Sequence, residues 1–223
     1  MSGANQPATA AVLISGSGSN LQSLIDAIHN GDTALLITLV ISNKAQAKGL
    51  QRARKAGIPA LCLENRNFDD RRKFDRALAR IIDAHRPDML ILAGFMHILS
   101  PEFVSRYRGR ILNIHPSLLP AYPGLNTHQR VIDNKETWHG CTVHFVTPAL
   151  DAGPPVIAGR LPVAGNDTAA SLAARVLKIE HRIYPIAANL LALGRIRCEN
   201  DRVFLDNEPL PEPIIYRNGT IKP

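Results

Sequence analysis

The chain has 223 residues, of which 45% are hydrophobic and 20% charged, and this composition excludes a disordered protein and favours one globular domain. No apolar run reaches the roughly 18–20 residues of a membrane-spanning helix, and residues 1–9 lack the basic region of a secretory signal, so we expect a cytoplasmic protein without a membrane segment. The three cysteines are far apart, which excludes a disulfide framework and a CxxC site.

The net charge is +7, and much of the excess lies in residues 48–80, which hold ten Lys or Arg against four Asp or Glu. One interpretation is a solvated helical face, and the other is an electrostatic funnel for an anionic substrate. Aromatic residues make up only 5%, and no signature of nucleic-acid recognition accompanies the charge, so we expect no nucleic-acid partner.

The first part of the chain alternates short β-branched runs with helical patterns. We predict strands at 11–15, 35–42, 60–63 and 88–93, and helices after the first strand and at 45–56 and 69–85. Strands that alternate with helices of this length are typical of βαβ units and a parallel sheet covered on both faces. Ligands of such sheets bind at the carboxyl edge of the strands.

The rest of the chain predicts a different arrangement. A short helix at 101–106 and a strand at 110–114 lead into a loop, 115–124, that three prolines and a glycine make rigid. Strands at 138–146 and 156–163 indicate an antiparallel extension, and a helix at 171–183 is expected to stop at Pro185. A short hairpin, 195–198 with 203–205, precedes an end that we expect to be Pro-rich and loose. We therefore predict one α/β domain over 1–223, with halves at about 10–109 and 110–205 and a tail at 206–223.

The turn Ile14-Ser15-Gly16-Ser17-Gly18-Ser19-Asn20 lies between the first strand and its helix. Glycines allow close backbone approach, and a helix N-terminus offers unpaired N–H groups to a phosphate. Leu21 stands where a dinucleotide fingerprint needs a third glycine, and no acidic residue ends the second strand, so the pattern excludes an NAD site. A single phosphate fits, and so does a plain capped turn without a ligand.

Asn113 and His115 are two apart at the end of a predicted strand, so both side chains point to one face. A histidine can move protons near neutral pH, and an asparagine amide can donate to an oxygen that gains charge, which together suit acyl transfer. A single N-x-H pattern is also common without chemistry. Asp151, in a Leu-Asp-Ala-Gly-Pro turn, is either a turn residue or a carboxylate partner of His115, and sequence spacing does not decide between them.

The other histidines carry weaker signals. His29 and His85 lie near predicted helix ends and are expected at the surface, whereas His139 and His144 flank a strand and are expected to be structural. Histidine, aspartate and glutamate show no metal-ligand spacing, so we predict no metal. No nucleophile elbow has the required frame either.

Six segments together resemble the folate-dependent phosphoribosylglycinamide formyltransferase family, over about residues 11–205. They are VLISGSGSNLQSLIDA, VISNKAQAKGLQRA, DMLILAGFMHILS, ILNIHPSLLPAYPGLNTH, GCTVHFVTPALDAGPPVI and KIEHRIYP. The resemblance implies a Rossmann-like three-layer α/β fold with a mixed, mostly parallel central sheet. It also implies the reaction, in which 10-formyltetrahydrofolate gives its formyl group directly to the amine of glycinamide ribonucleotide, in de novo purine synthesis.

The resemblance further implies roles for residues that match the family's motifs. Asn113 would steady the oxyanion, His115 would shuttle the proton, and Asp151 would raise the pKa of His115 and order a water. The acceptor would be bound by Gly18, Ser19, Asn20, Leu177, Lys178, Ile179 and Glu180. The folate, a co-substrate, would be bound by Arg71, Met96, His97, Ile98, Leu99, Asn113, Thr147, Pro148, Ala149, Leu150 and Asp151.

Two positions depart from the family pattern. His97 stands where arginine is common and loses a permanent charge and a bidentate fork, and Asn126 stands where histidine is common and cannot carry a proton. If the contact at position 97 is largely made by the backbone, little changes; otherwise we expect weaker binding of the folate tail.

Two alternatives compete with this function: another enzyme of the formyltransferase superfamily, and a non-catalytic module. A methionyl-tRNA formyltransferase or a formyltetrahydrofolate hydrolase usually carries an extra domain, for which the short flanks leave no room. A non-catalytic α/β module that binds nucleotides or RNA would explain the charge but leave Asn113, His115 and Asp151 idle. The patterns leave open whether the protein is a monomer or a homodimer.

Overall fold

The computed structural model describes residues 6–217 and 220–222 and contains one large sheet, one small sheet and six α-helices in these ranges. The helices are α1 (Ser19–His29), α2 (Lys48–Lys55), α3 (Arg71–His85), α4 (Pro101–Arg106), α5 (Thr127–Asp133) and α6 (Ala169–Ala192), with a short 3-10 turn at Asn65–Asn67. The strands are β1 (Ala8–Ile14), β2 (Leu35–Ser42), β3 (Ala60–Cys62), β4 (Met89–Leu92), β5 (Ile111–His115), β6 (Trp138–Phe145), β7 (Pro155–Pro162), β8 (Ile196–Glu199), β9 (Arg202–Leu205), β10 (Glu208–Pro209), β11 (Ile214–Arg217) and β12 (Thr220–Lys222).

The large sheet has the strand order β12-β11-β7-β6-β5-β4-β1-β2-β3. The run from β5 through β4, β1 and β2 to β3 is parallel, as βαβ units require. β6 is antiparallel to both β5 and β7, while β11 runs parallel to β7. The sheet is therefore mixed and mostly parallel, and it changes direction beside β5.

Two apolar clusters cover the two faces of the sheet, which makes three layers. Helices α1, α2, α5 and α6 contribute to the larger cluster, and α3 and α4 contribute to the smaller one. The inward residues of α3 are Phe74, Leu78 and Ile82, as the helical spacing predicts, while Ile81 is only half-buried. The predicted α/β three-layer fold is confirmed.

Most predicted elements are present with shifted ends, and helix α5 was missed. The helix predicted at 69–85 begins at Arg71 because Asp70 is its N-cap and accepts a hydrogen bond from the Lys73 N–H. Helix α5 follows Asn126, which has a left-handed φ of 57°, and its short length left no clear helical period in the sequence.

The expected stop of the last helix at Pro185 is wrong, because α6 continues to Ala192. Proline removes one helical hydrogen bond, but burial of this helix outweighs that loss. Tyr184, Ala187 and Ala188 are fully buried, and the Tyr184 hydroxyl donates to the carbonyls of Leu92 and Leu112, at 2.9 and 3.1 Å.

The tail also differs from the prediction. The hairpin is present as β8 and β9, but Ile214–Arg217 then pairs with β7 and extends the large sheet instead of being loose. Ile214 is buried in the larger apolar cluster, so it supplies a core contact that the surrounding prolines conceal in the sequence. Residues 218, 219 and 223 of the predicted tail lie outside the described residues. No helix in the described part of the chain has the length and apolarity needed to cross a membrane.

Candidate active site

The glycine turn after β1 closes tightly against α2. Gly18 has φ 69°, and a Cβ on it would lie 2.5 Å from the Cα of Gly49, so both the conformation and the packing require glycine. Helix α1 begins at Ser19, and its first helical hydrogen bond runs from the Gln22 N–H to the Gly18 carbonyl, at 2.9 Å. The preceding N–H groups are therefore available to an anion.

Asn20 and Glu180 link this turn to α6. The Asn20 amide donates to a Glu180 carboxylate oxygen at 2.7 Å, and both side chains are buried. Burial raises the pKa of Glu180, and the hydrogen bond from Asn20 opposes that rise. The carbonyl oxygen of the Asn20 side chain is buried without a hydrogen-bond partner among the described residues, so a polar ligand could use it.

Hydrogen bonds hold the segment after β4, residues 96–100, at two points. The Ser15 hydroxyl accepts from the Met96 N–H at 2.7 Å and donates to the buried Asn43 side chain at 2.6 Å. The His97 ring meets the Asp75 carboxylate at 2.9 Å, and the other Asp75 oxygen accepts from the Ser100 N–H at 2.6 Å. Both contacts hold the segment 96–100 against β1 and α3.

The His97 side chain is consequently turned inward. It is only 10% exposed and packs on the ring of Phe74, with centroids 4.5 Å apart. Burial opposes ionisation of Asp75, but its hydrogen bonds from His97 and Ser100 outweigh burial and lower its pKa. Met96 and Ile98 remain 62% and 57% exposed, so these two side chains, rather than the ring of His97, face outward.

Asn113 lies opposite His144 in the antiparallel pair of β5 and β6. The two side chains meet at 3.1 Å, between the Asn113 amide nitrogen and His144 Nε2, and His144 Nδ1 lies 2.9 Å from the Phe145 carbonyl. Burial lowers the pKa of His144 to about 4, so the ring is neutral near pH 7. A neutral ring that donates from Nδ1 accepts at Nε2, and the Asn113 amide keeps one N–H free.

His115 faces oxygen atoms on both sides of its ring. Nδ1 lies 3.4 Å from the Asp151 carboxylate, and Nε2 lies 2.9 Å from the Tyr122 carbonyl. Asp151 also accepts from the Gly124 N–H at 2.9 Å and has its other oxygen 4.0 Å from His144 Nε2. The loop between β6 and β7 thus folds back on the end of β5, and the predicted trio of Asn113, His115 and Asp151 is brought together.

Asp151 reaches this position with a left-handed backbone conformation, φ 49°, which is uncommon for a residue other than glycine. Two residues later, a Cβ on Gly153 would lie 1.8 Å from the Phe145 carbonyl oxygen, so the loop can return to the sheet only with glycine there. The turn residues of the Asp-Ala-Gly-Pro pattern therefore serve to present the carboxylate.

The remaining predicted site residues lie on three neighbouring segments. Arg71 is exposed at the start of α3, and Thr147 to Leu150 lead into Asp151, with Leu150 54% exposed. In α6, Leu177 and Ile179 are half-buried, Lys178 between them is exposed, and Glu180 after them is buried.

Two features of the site were not predicted. His144, which we expected to be structural, contacts Asn113, and Tyr122 contacts His115 through its backbone. The alternation of Thr142 and His144 along β6 could have shown that both side chains face the same way. The register of β6 against β5, which places His144 opposite Asn113, could not be predicted from that pattern. His139, also expected to be structural, is buried and lies 2.9 Å from His128.

A model of the formyl transferase family matches residues 8–188, which is most of the chain. The chain belongs to the formyl transferase family. Within the described residues, this formyl transferase contains no group of three or more His, Cys, Asp or Glu arranged to hold a metal ion.

Relatives of this formyl transferase share most of its length. The phosphoribosylglycinamide formyltransferase of Escherichia coli is 49% identical over 200 residues, covering 90% of this chain and 94% of that protein. A solved phosphoribosylglycinamide formyltransferase from Coxiella burnetii superposes with a TM-score of 0.88 at 48% identity, covering 92% and 96% of the two chains. A formyltetrahydrofolate deformylase from Pseudomonas syringae, at 22% identity and a TM-score of 0.82, shares the fold. The predicted family is confirmed, and the chain is an enzyme of this family.

Proposed function

We propose that the protein transfers the formyl group of 10-formyltetrahydrofolate to the amine of glycinamide ribonucleotide, in purine biosynthesis. The observation that carries this proposal is the grouping of Asn113, His115 and Asp151, with His115 Nδ1 3.4 Å from the Asp151 carboxylate. The names of the relatives that cover nearly the whole chain support the same reaction.

In this proposal the acceptor lies between the glycine turn and α6. The N–H groups at Gly18, Ser19 and Asn20 bind its phosphate, because they lie at the open N-terminus of α1. Glu180, with the turn of α6 from Leu177, contacts the rest of the acceptor. The hydrogen bond between Asn20 and Glu180 joins these two parts, so binding of the phosphate and of the glycinamide is coupled.

The folate co-substrate takes the other side of the cleft. Met96 to Leu99, Thr147 to Asp151, Asn113 and Arg71 surround its place. Backbone groups of the segment 96–100, which is held by hydrogen bonds to Ser15 and Asp75, can form hydrogen bonds with the edge of the pterin. Exposed apolar side chains such as Met96, Ile98 and Leu150 can cover its ring system.

The chemistry is direct attack of the amine on the formyl carbon. A C–N bond forms, the carbonyl oxygen gains negative charge, and the free N–H of the Asn113 amide donates to that oxygen. His115 takes the proton that the amine loses and gives it to N10 of the folate as the old C–N bond breaks, which leaves tetrahydrofolate and the N-formyl product. Asp151 orients the ring through Nδ1. When the substrate binds, His115 Nε2 gives up its contact with the Tyr122 carbonyl and faces the substrate instead.

The test is an optical assay of deformylation with purified protein, 10-formyl-5,8-dideazafolate and glycinamide ribonucleotide. We expect turnover that needs the acceptor, and a loss of at least about two orders of magnitude in kcat for His115→Ala and for Asp151→Asn. His85→Ala removes an exposed histidine at the far end of α3 and should keep turnover.

Near-normal kcat in both His115→Ala and Asp151→Asn would refute the assigned mechanism. Release of formate from the donor without any acceptor would instead identify a hydrolase, the activity named for the Pseudomonas structure that shares this fold.

A further inference from the structure

The proposed acceptor site has a cationic wall to which the proposed function gives no role. A cavity of about 1070 Å³ lies along α1 and α6 and includes Ser19, the first residue of α1. Three permanent cations line it, Arg52 of α2 and Lys178 and Arg182 of α6. Arg52 belongs to the basic excess of residues 48–80, for which an electrostatic funnel was one interpretation.

Arg52 is held directly against the glycine turn. Its Nε donates to the Ser17 carbonyl at 2.9 Å, and its Nη1 donates to the side-chain oxygen of Gln22 at 3.2 Å. The Gly49 N–H, also from α2, donates to the Gly16 carbonyl at 3.2 Å. Helix α2 therefore engages two successive carbonyls of the turn, and one of these contacts fixes a guanidinium group beside it.

The positive charge of Arg52 is not neutralised by these contacts. Its hydrogen-bond acceptors in the described part of the chain are a backbone carbonyl and a side-chain amide, and neither carries a charge. Asp26 lines the same cavity, but its carboxylate accepts from the Gln22 amide at 2.8 Å. The guanidinium is thus a fixed cation with charge left for a ligand.

His181, on the α6 side of the cavity, feels this charge. Burial lowers the pKa of its ring, the Asp26 carboxylate opposes that effect, and the charges of Arg182 and Arg52 lower the pKa further. The ring is therefore neutral near pH 7, and its buried Nε2 has no hydrogen-bond partner among the described residues. The positive charge of this wall at neutral pH comes from arginine and lysine.

The turn beside Arg52 has two independent marks of a ligand site. One is the set of N–H groups at the start of α1, and the other is the Asn20 side-chain carbonyl, which is buried without a partner among the described residues. A helix N-terminus carries only about half a positive charge, whereas a phosphate ester carries nearly two negative charges at pH 7. The helix alone leaves most of that charge unbalanced, and a fixed guanidinium supplies a full positive charge.

We propose that Arg52 determines the specificity of the acceptor site for a phosphorylated acceptor, by holding a permanent positive charge beside the glycine turn. This inference rests on the proposed function, because there the acceptor's phosphate occupies that turn. The role depends on the charge of the side chain and only secondarily on its shape.

The test compares Arg52→Gln and Arg52→Lys with the unaltered protein. Glutamine can still donate to the Ser17 carbonyl but has no charge, whereas lysine keeps the charge and loses the fork. KM for glycinamide ribonucleotide should rise about tenfold in Arg52→Gln and stay within about threefold in Arg52→Lys, while kcat and KM for the folate donor stay within about twofold in both. Arg54→Gln removes the same charge from an exposed position on α2 and should change none of these constants.

Calorimetric titration with ribose 5-phosphate, without any folate, measures the same contact without the reaction. Its Kd should rise about tenfold in Arg52→Gln and stay unchanged in Arg54→Gln. This separates the two proposals, because a protein that binds ribose 5-phosphate through Arg52 but shows no turnover would refute the proposed function alone.

Three results would overturn the inference. The first is an unaltered protein that does not bind ribose 5-phosphate, or an Arg52→Gln variant with unchanged KM and Kd. The second is an equal loss in Arg52→Gln and Arg52→Lys, which would show that the shape of the arginine matters and its charge does not. The third is an equal loss in Arg52→Gln and Arg54→Gln, which would show attraction to the overall charge. Thermal unfolding of each variant establishes that the altered proteins are folded.

Discussion

At the scale of single residues, the most informative side chain is His144, because its protonation state decides what Asn113 can do. Burial lowers the pKa of His144 to about 4, and its Nδ1–H donates to the Phe145 carbonyl, 2.9 Å away. Nε2 then accepts one N–H of Asn113 and fixes the direction of that amide. The second N–H of Asn113 is thereby aimed without any contact from the substrate, which is the preorganisation that its proposed oxyanion role requires.

We therefore predict different effects from two substitutions of His144. His144→Leu leaves the Asn113 amide without its acceptor and should lower kcat by about ten- to a hundredfold, somewhat less than removal of an oxyanion donor itself. His144→Gln offers a carbonyl oxygen in a similar place and should recover most of that loss. The measurement is kcat and KM for both substrates, with thermal unfolding as the control for folding. Equal kcat in the leucine and glutamine variants would show that the hydrogen bond to Asn113 has no part in turnover.

The residues of the site differ in how far the sequence could specify them. Alternation along a strand placed Asn113 and His115 on one face, and that needs only local geometry. The contact of Asp151 with His115 spans 36 positions and depends on a left-handed residue and on close approach at Gly153, neither of which spacing encodes. The pairing of His144 with Asn113 depends on the register of β6 against β5.

At the scale of elements, the segment after β4 behaves as one unit because it is fastened at both ends. Asp75 accepts from His97 and from the Ser100 N–H, and it is 3% exposed, so its charge is stabilised almost entirely by these two donors. The departure from arginine at position 97 therefore keeps an anchor to α3, and the side chain is not offered to solvent.

We predict that Asp75→Asn loosens this segment, since an amide cannot accept from both donors as strongly as a carboxylate. KM for the folate donor should rise about three- to tenfold, while KM for glycinamide ribonucleotide should stay within about twofold. Asp70→Asn, which keeps an N-cap on the same helix, is the matched control and should change neither KM. A parallel rise in both KM values for Asp75→Asn would indicate general destabilisation and contradict a local role.

Helix α6 and strand β11 show why local sequence patterns do not predict every element. Pro185 predicts a helix end, but Tyr184, Ala187 and Ala188 are buried against the sheet, and this packing extends α6 through the proline. Ile214 and Ile215 are too few to predict a strand, yet the open edge of β7 gives their backbone a partner. In both cases the deciding interactions come from parts of the chain that are distant in sequence.

At the scale of the whole molecule, the change of strand direction beside β5 assembles the site. The parallel strands bring the glycine turn after β1 and the segment after β4 to one edge, as the βαβ pattern predicts. The antiparallel strand β6 then lies against β5 and supplies His144, and the loop that follows it supplies Asp151. A wholly parallel sheet would place those two residues elsewhere, so the mixed topology is what brings His144 and Asp151 to the end of β5.

The same topology buries histidines, and this predicts how the stability of the whole molecule depends on pH. Burial lowers the pKa of His139 and of His144 to about 4, whereas an unfolded chain binds protons on histidine below about pH 6.5. Between these values the unfolded state holds more protons, so the free energy of unfolding falls as pH drops from 6.5 toward 4. Each histidine should cost about 2 kcal/mol between pH 7 and pH 5. The carboxylates whose pKa is lowered, such as Asp75, titrate below this window.

The measurement is urea unfolding at pH 7 and pH 5 for the unaltered protein, His139→Gln and His85→Gln. His139→Gln should shrink the difference between the two pH values by about 1–2 kcal/mol, since glutamine can keep the contact to His128 but takes up no proton in either state. His85 is exposed and should leave the difference unchanged when replaced. Glu180, whose raised pKa acts in the opposite direction, is common to all three proteins and cancels in the comparison. If the free energy of unfolding of His139→Gln and of the unaltered protein depends on pH in the same way, the buried pair of His128 and His139 takes up a proton in the folded state, which would contradict this prediction.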